Sequence, residues 1–117
     1  MTTIKRHRQS PIMHRMVEAG GLVFLGGTTA DDTSADMKGQ TEQILAKLDQ
    51  FLAEAGSSKR HLVSATIFVT DLSQKPQMDA VWKAWIEPGD LPARATVGVA
   101  DLGKGTLIEI VVTAAKA

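Results

Sequence analysis

The sequence predicts an α+β fold: one six-stranded mixed sheet with two helices on one of its faces. Three observations carry this reading. Apolar residues alternate with polar or small ones in several short runs, the period of a strand. In two longer runs they recur every third or fourth residue, the period of a helix. Breaks rich in glycine, proline and aspartate separate the runs in the order β-β-β-α-β-α-β-β. A chain of 117 residues that is 44% hydrophobic can bury a core of its own, so residues 1–117 are expected to form a single domain.

Taken in order, Ile4 to Arg8 reads as a short basic edge strand. Ile12 to Ala19 and Leu22 to Gly26 read as two strands joined by Gly20-Gly21, a pair suited to a two-residue hairpin turn. Asp31 to Ser34 is a loop, and Ser34 can cap the helix that follows. That helix presents Met37, Thr41, Ile44, Leu48, Phe51, Leu52 and Ala55 on one face and stops at Gly56. Leu62 to Thr70 is a strand rich in β-branched residues. A second helix, marked by Met78, Val81, Trp82, Trp85 and Ile86, is capped near Ser73, carries Pro76 in its first turn and ends at Pro88-Gly89. Pro92 to Val99 and Leu107 to Val112 form the last two strands, read as a hairpin around Asp101-Leu102-Gly103-Lys104-Gly105. Each helix is expected to join two parallel neighbouring strands by a right-handed crossover.

Two helices cover one face of such a sheet, and nothing is left to cover the other. Either alternating set of the strand from residue 62, whether Leu62, Ser64, Thr66 and Phe68 or Val63, Ala65, Ile67 and Val69, is too apolar or too small for a wet face. The bare face is therefore expected to bury itself against further copies of the chain.

In the C-terminal hairpin, Ala93, Ala95, Val97 and Val99 are expected under the helices together with Ile108, Ile110 and Val112. Arg94, Thr96 and Gly98 then share the other face with Leu107, Glu109, Val111 and Thr113. This parity sets Arg94 opposite Val111 or Thr113, with Glu109 across from Thr96 or Gly98. Arg94 has no opposed carboxylate within the hairpin. A guanidinium without a fixed partner is suited to grip a ligand carboxylate in a bidentate fork. The structural alternative is an ion pair with an acid across a subunit interface.

Composition narrows the function classes. Thirteen basic and 13 acidic residues cancel, which argues against broad nucleic-acid or acidic-membrane binding. There is no cysteine, hence no disulfide frame and no thiolate metal site. His7, His14 and His61 lack the close spacing of metal ligands, so no metal is expected. No run is apolar enough for a signal peptide or a membrane span, and a cytoplasmic protein is expected. Lys5-Arg6-His7-Arg8 with Arg15 invites an RNA reading, but stacking aromatics and a wide basic stripe are missing.

The chain resembles the YjgF/RidA family of small trimeric proteins over nearly its whole length. The resemblance rests on Gly20-Gly21-Leu22-Val23-Phe24-Leu25-Gly26-Gly27, on Ala65-Thr66-Ile67-Phe68-Val69-Thr70-Asp71-Leu72, and above all on Pro92-Ala93-Arg94-Ala95-Thr96 with Ile108-Glu109-Ile110. It implies a chorismate-mutase-like subunit, packed as a homotrimer with three clefts between subunits. It also implies hydrolysis of enamine or imine acids of the 2-aminoacrylate type to 2-keto acids and ammonia, without metal or organic cofactor. Arg94 matches the residue that holds the substrate carboxylate. Gly26, Gly27 and Thr28 match the loop that offers backbone groups to the substrate. Thr96 matches a position usually occupied by cysteine or another small polar residue, and Asp79 a helix position that is often asparagine. Two positions depart from the family pattern: Met13, near an expected tyrosine, and Val111, where many members carry a glutamate assigned to the attacking water. Arg94, Thr96 and Glu109 are thus the expected catalytic set. Arg94, Gly26, Gly27, Thr28, Asp79 and Val111 are the expected substrate-binding set. The alternative reading is a trimer of the same build that binds small carboxylates without turnover, and behind it an endoribonuclease or translation inhibitor.

Overall fold

The computed structural model describes residues 3–117. Its strands are β1 (Lys5–Gln9), β2 (His14–Ala19), β3 (Leu22–Leu25), β4 (Leu62–Val69), β5 (Ala93–Gly98) and β6 (Ile108–Ala115). Its helices are α1 (Met37–Glu54) and α2 (Lys75–Trp85). All eight expected elements form, in the expected order.

Local chemistry explains the boundaries. Ala19 pairs with Leu22 across Gly20 and Gly21, whose φ angles of +60° and +79° are those a two-residue hairpin turn demands. The seven residues expected on the inner face of α1 are all buried. The cap of α1 is Asp36 rather than Ser34. The Asp36 carboxylate accepts from the Gly39 N–H at 2.9 Å, while the Ser34 hydroxyl donates to Asp32 instead. Gly56, at φ +78°, ends the helix. Ser73 does not cap α2 either. Asp71 accepts from the Ser73 N–H and opens a 3₁₀ turn, Leu72–Gln74, that feeds into α2 with Pro76 in its first turn.

The sheet is mixed, with order β1-β2-β3-β6-β4-β5; β4 and β5 run parallel and every other pair is antiparallel. The crossover through α2 does join parallel neighbours. The one through α1 does not: β3 and β4 are parallel, but β6 lies between them. The expected C-terminal hairpin is also absent, since β5 sits at the sheet edge and never pairs with β6. The connection between them does not turn back on β5. Gln40 of α1, fully buried, donates to the Gly105 carbonyl and accepts from the Leu107 N–H, each at 2.9 Å. That tie delivers β6 to the slot between β3 and β4, where both of its edges find partners.

Both helices lie on one face, as expected. Beneath them are Met16, Val23, Leu25, Ala65, Ile67, Val69, Ile108, Ile110, Val112 and Ala114, together with the inward residues of the helices. The alternation of β4 resolves so that Ala65, Ile67 and Val69 point inward and Ser64, Thr66 and Phe68 outward. The parity of β5 is the reverse of that expected. Arg94 pairs with Ala65 and Thr96 with Ile67, so both lie on the helix side, while Ala93, Ala95 and Val97 face outward. The outer face, with Phe24, Thr66, Phe68, Val97, Glu109 and Val111, has no cover among the described residues. No helix is long and apolar enough to cross a membrane among the described residues.

Candidate functional site

Arg94 reaches up from edge strand β5 to α2. Its Nη2 donates to Asp79 Oδ1 at 2.7 Å, and its guanidinium carbon lies 5.5 Å from the centroid of the Trp82 ring. Nη1 comes within 3.9 Å of the Met78 sulfur. The other Asp79 oxygen accepts from Lys75 Nζ, one turn earlier on α2, also at 2.7 Å. Burial pushes the Asp79 carboxyl up. The hydrogen bonds from Lys75 and Arg94, and then their charges, outweigh burial and hold it below the usual carboxylate range. The expectation of an unclaimed Arg94 is therefore corrected. A hairpin partner could not supply the acid, but a helix laid over the strand does.

The claim is partial. Of five N–H donors, one meets a carboxylate and one a thioether, which is a weak acceptor. Arg94 lines a cavity of about 260 Å³ with Asp79, Trp82, Lys83, Leu91 and Pro92. A wider groove of about 630 Å³ runs between α1 and α2 past Glu42, Ala80 and Val81, but it holds none of the expected site residues. Of the expected site residues, Arg94 and Asp79 line the smaller one. Thr96 sits next along the inner face of β5. Its buried Oγ has no hydrogen-bond partner among the described residues.

A second cluster forms at the far end of β3. Thr28 bridges to Ile110 through both of its backbone groups, each at 3.0 Å, which clamps the Gly26–Thr28 loop beside β6. Glu109 projects from β6 against Gly27: a Cβ added there would stand 2.0 Å from the Glu109 Oε2. Only glycine admits the carboxylate so close to the backbone. Arg15 of β2 donates to the Gly27 carbonyl at 2.7 Å and to the Thr28 hydroxyl at 3.2 Å. Burial pulls the Arg15 guanidinium down from its usual range, and the charge of Glu109 opposes that shift. The backbone groups expected to face a ligand are thus mostly committed. Thr28 spends both on Ile110 and Gly27 its carbonyl on Arg15, leaving the Gly27 N–H without a partner among the described residues.

The eight expected site residues therefore divide. Arg94, Asp79 and Thr96 gather under α2. Gly26, Gly27, Thr28 and Glu109 gather at the β3–β6 end, and Glu109 and Val111 face outward, on the side of the sheet away from Arg94. Met13, at the position of the expected tyrosine, lies against Gly26 in this second cluster. Sequence reasoning passed over Lys75 and Lys83, took Trp82 only as a helix marker and named Arg15 only in an RNA reading. The spacing of Lys75 and Asp79, four apart on a helix, was a readable signal for that pair; Arg15 offered none. Among the described residues no group of three or more His, Asp or Glu could hold a metal ion.

Residues 8–116 match the family described as endoribonuclease L-PSP. A RutC family protein of Haemophilus ducreyi is 30% identical over 95 residues, covering 81% of each chain. Protein DfrA of Myxococcus xanthus is 35% identical over 100 residues, 80% of this chain and 76% of that one. The crystal structure of a YjgF family member from Neisseria meningitidis superposes with a TM-score of 0.94 at 35% identity, over 98% of this chain and 96% of the other.

Proposed function

The chain belongs to the YjgF/RidA family, whose L-PSP signature spans it from residue 8 to residue 116, and on that footing we propose that it hydrolyses small 2-enamine and 2-imine acids to 2-keto acids and ammonia. The observation that carries the reading is Arg94 in the wall of a cavity of amino-acid size, with most of its donor fork uncommitted. A carboxylate met by that fork forms two parallel charge-assisted hydrogen bonds, a geometry a lysine could not offer. Asp79 and Trp82 fix the guanidinium plane before the ligand arrives, which lowers the entropic cost of binding.

Glu109 and the Gly26–Thr28 loop belong to the same reaction only if another copy brings them up to Arg94. The uncovered outer face supplies the reason for such an assembly, a homotrimer with clefts between subunits, as in the family. In that cleft the enamine tautomerises to the imine, Glu109 takes a proton from water, the water adds to the imine carbon, and ammonia leaves. To the Thr96 hydroxyl, buried next to Arg94 on the inner face of β5 and without a partner among the described residues, we assign a hydrogen bond that supports the bound substrate once the cleft assembles. These intermediates already react with water unaided, so positioning accounts for the rate gain. Neither metal nor organic cofactor enters the scheme, and the partners are a small carboxylate and further copies of the chain.

One observation favours a second reading. Arg94 arrives with a carboxylate already on it, and Glu109 is on the other side of its own sheet. A trimer that binds small carboxylates without turnover fits that as well. An RNA-cleaving role is less well supported, because the sequence lacks stacking aromatics and a wide basic stripe, and within the basic run His7 and Arg8 already pair with Glu18 and Glu54.

The deciding experiment generates iminopyruvate in situ and follows keto-acid and ammonia release. Wild type is expected to exceed Arg94→Ala by at least about tenfold. Equal rates, with pyruvate still bound in an Arg94-dependent way, leave the binding reading; equal rates without such binding overturn both.

A further inference from the structure

Asp79 is the one acid among the six residues that line the Arg94 cavity, where Arg94 and Lys83 are the cations. Each of its oxygens holds one donor, Arg94 on Oδ1 and Lys75 on Oδ2. A carboxylate oxygen accepts two hydrogen bonds, so each keeps a further acceptor position. The Arg94–Asp79 pair therefore presents a positive and a negative charge side by side at the cavity wall. A ligand with a carboxylate alone gains Arg94 but meets the Asp79 charge at short range. A ligand with a protonated nitrogen on the carbon beside its carboxylate matches both signs. Trp82, Leu91 and Pro92 complete the wall with largely apolar surface, which suits a short hydrocarbon side chain.

Resting on the carboxylate-binding role proposed for Arg94, we infer that Asp79 makes this site selective for ligands that are zwitterionic at their second carbon. Protonated 2-imino and 2-amino acids are favoured over 2-keto acids of the same skeleton. In the hydrolysis proposed above, that selectivity gives the cycle a direction. The iminium acid takes up one water, its C=N bond breaks as C=O forms, and the nitrogen leaves as ammonium carrying both protons of the water. A zwitterion that Asp79 attracts thereby becomes an anion that Asp79 repels, and the product departs once its nitrogen is gone.

The test titrates L-2-aminobutyrate and 2-ketobutyrate, which share a carbon skeleton, into wild type and Asp79→Asn by calorimetry. Wild type is expected to bind the amino acid more tightly by about tenfold, and Asp79→Asn to invert the order by gaining affinity for the keto acid. The same ratio in both proteins overturns the selectivity. Lys75→Gln provides the check should the Asp79 variant fold poorly: with Oδ2 released, the preference for the amino acid sharpens, and a weakened or unchanged preference overturns the proposal. Arg94→Ala keeps the two claims apart. Loss of both ligands there, with a ratio indifferent to Asp79, removes the selectivity alone. Binding of both ligands untouched by Arg94→Ala removes the carboxylate site itself.

Discussion

Glu18 shows how much a single buried side chain can decide. It stands on the helix side of β2, almost without solvent exposure, and accepts from His7 and from Lys116. The hydrogen bond from Lys116, then that from His7, outweigh burial and hold its carboxyl below the ordinary glutamate range. A carboxyl whose folded pKa is depressed contributes stability above its unfolded pKa and loses it as pH falls through the folded one. Thermal melts from about pH 7 down to about pH 3 are therefore expected to show a fall in Tm that Glu18→Gln flattens. Parallel curves for the two proteins would remove Glu18 as the cause. The candidate site was partly legible at this scale. Arg94 stood out because a charge amid small residues on a strand needs an anion. Its partner did not, because Asp79 lies 15 positions away on another element, and only the fold brings the two within reach.

Elements were legible where one periodicity dominated. The α1 stripe and the Gly20-Gly21 turn came through because helix period and left-handed φ leave single solutions. The C-terminal strands did not. Alternation says that Ala93, Ala95 and Val97 share a face, but not which face a helix covers. Three small apolar residues read as core when they lie on the outer, uncovered side. A glycine-containing link likewise reads as a hairpin whether or not a buried Gln40 draws it away. Helix caps were displaced by a similar ambiguity, since Ser34 and Asp36 both suit the role. Asp36→Ala is expected to cost about 1 kcal/mol in denaturant unfolding, and Ser34→Ala under about 0.5 kcal/mol. The reverse order would return the cap to Ser34.

At the scale of the whole molecule, the described residues leave one side of the sheet bare. Phe24 and Val97 are 44% and 40% exposed there, with Phe68 and Val111 half-buried beside them. Such a face in water invites further copies of the chain. Wild type is expected to sediment as an oligomer. Val97→Asp, which removes no contact within the buried core, is expected to sediment as single chains, because it sets a charge in the apolar contact between copies. Wild type sedimenting as single chains would overturn the assembly and, with it, the joining of Glu109 to Arg94. The central position of β6 has a consequence of its own. β6 follows the other five strands of its sheet in sequence yet completes the middle of it, so a nascent polypeptide holds β3 and β4 apart with raw edges until residues 108–115 have emerged. Folding of the sheet thereby waits on residues 108–115, and the interval before they emerge is when sticking to other nascent chains is most dangerous.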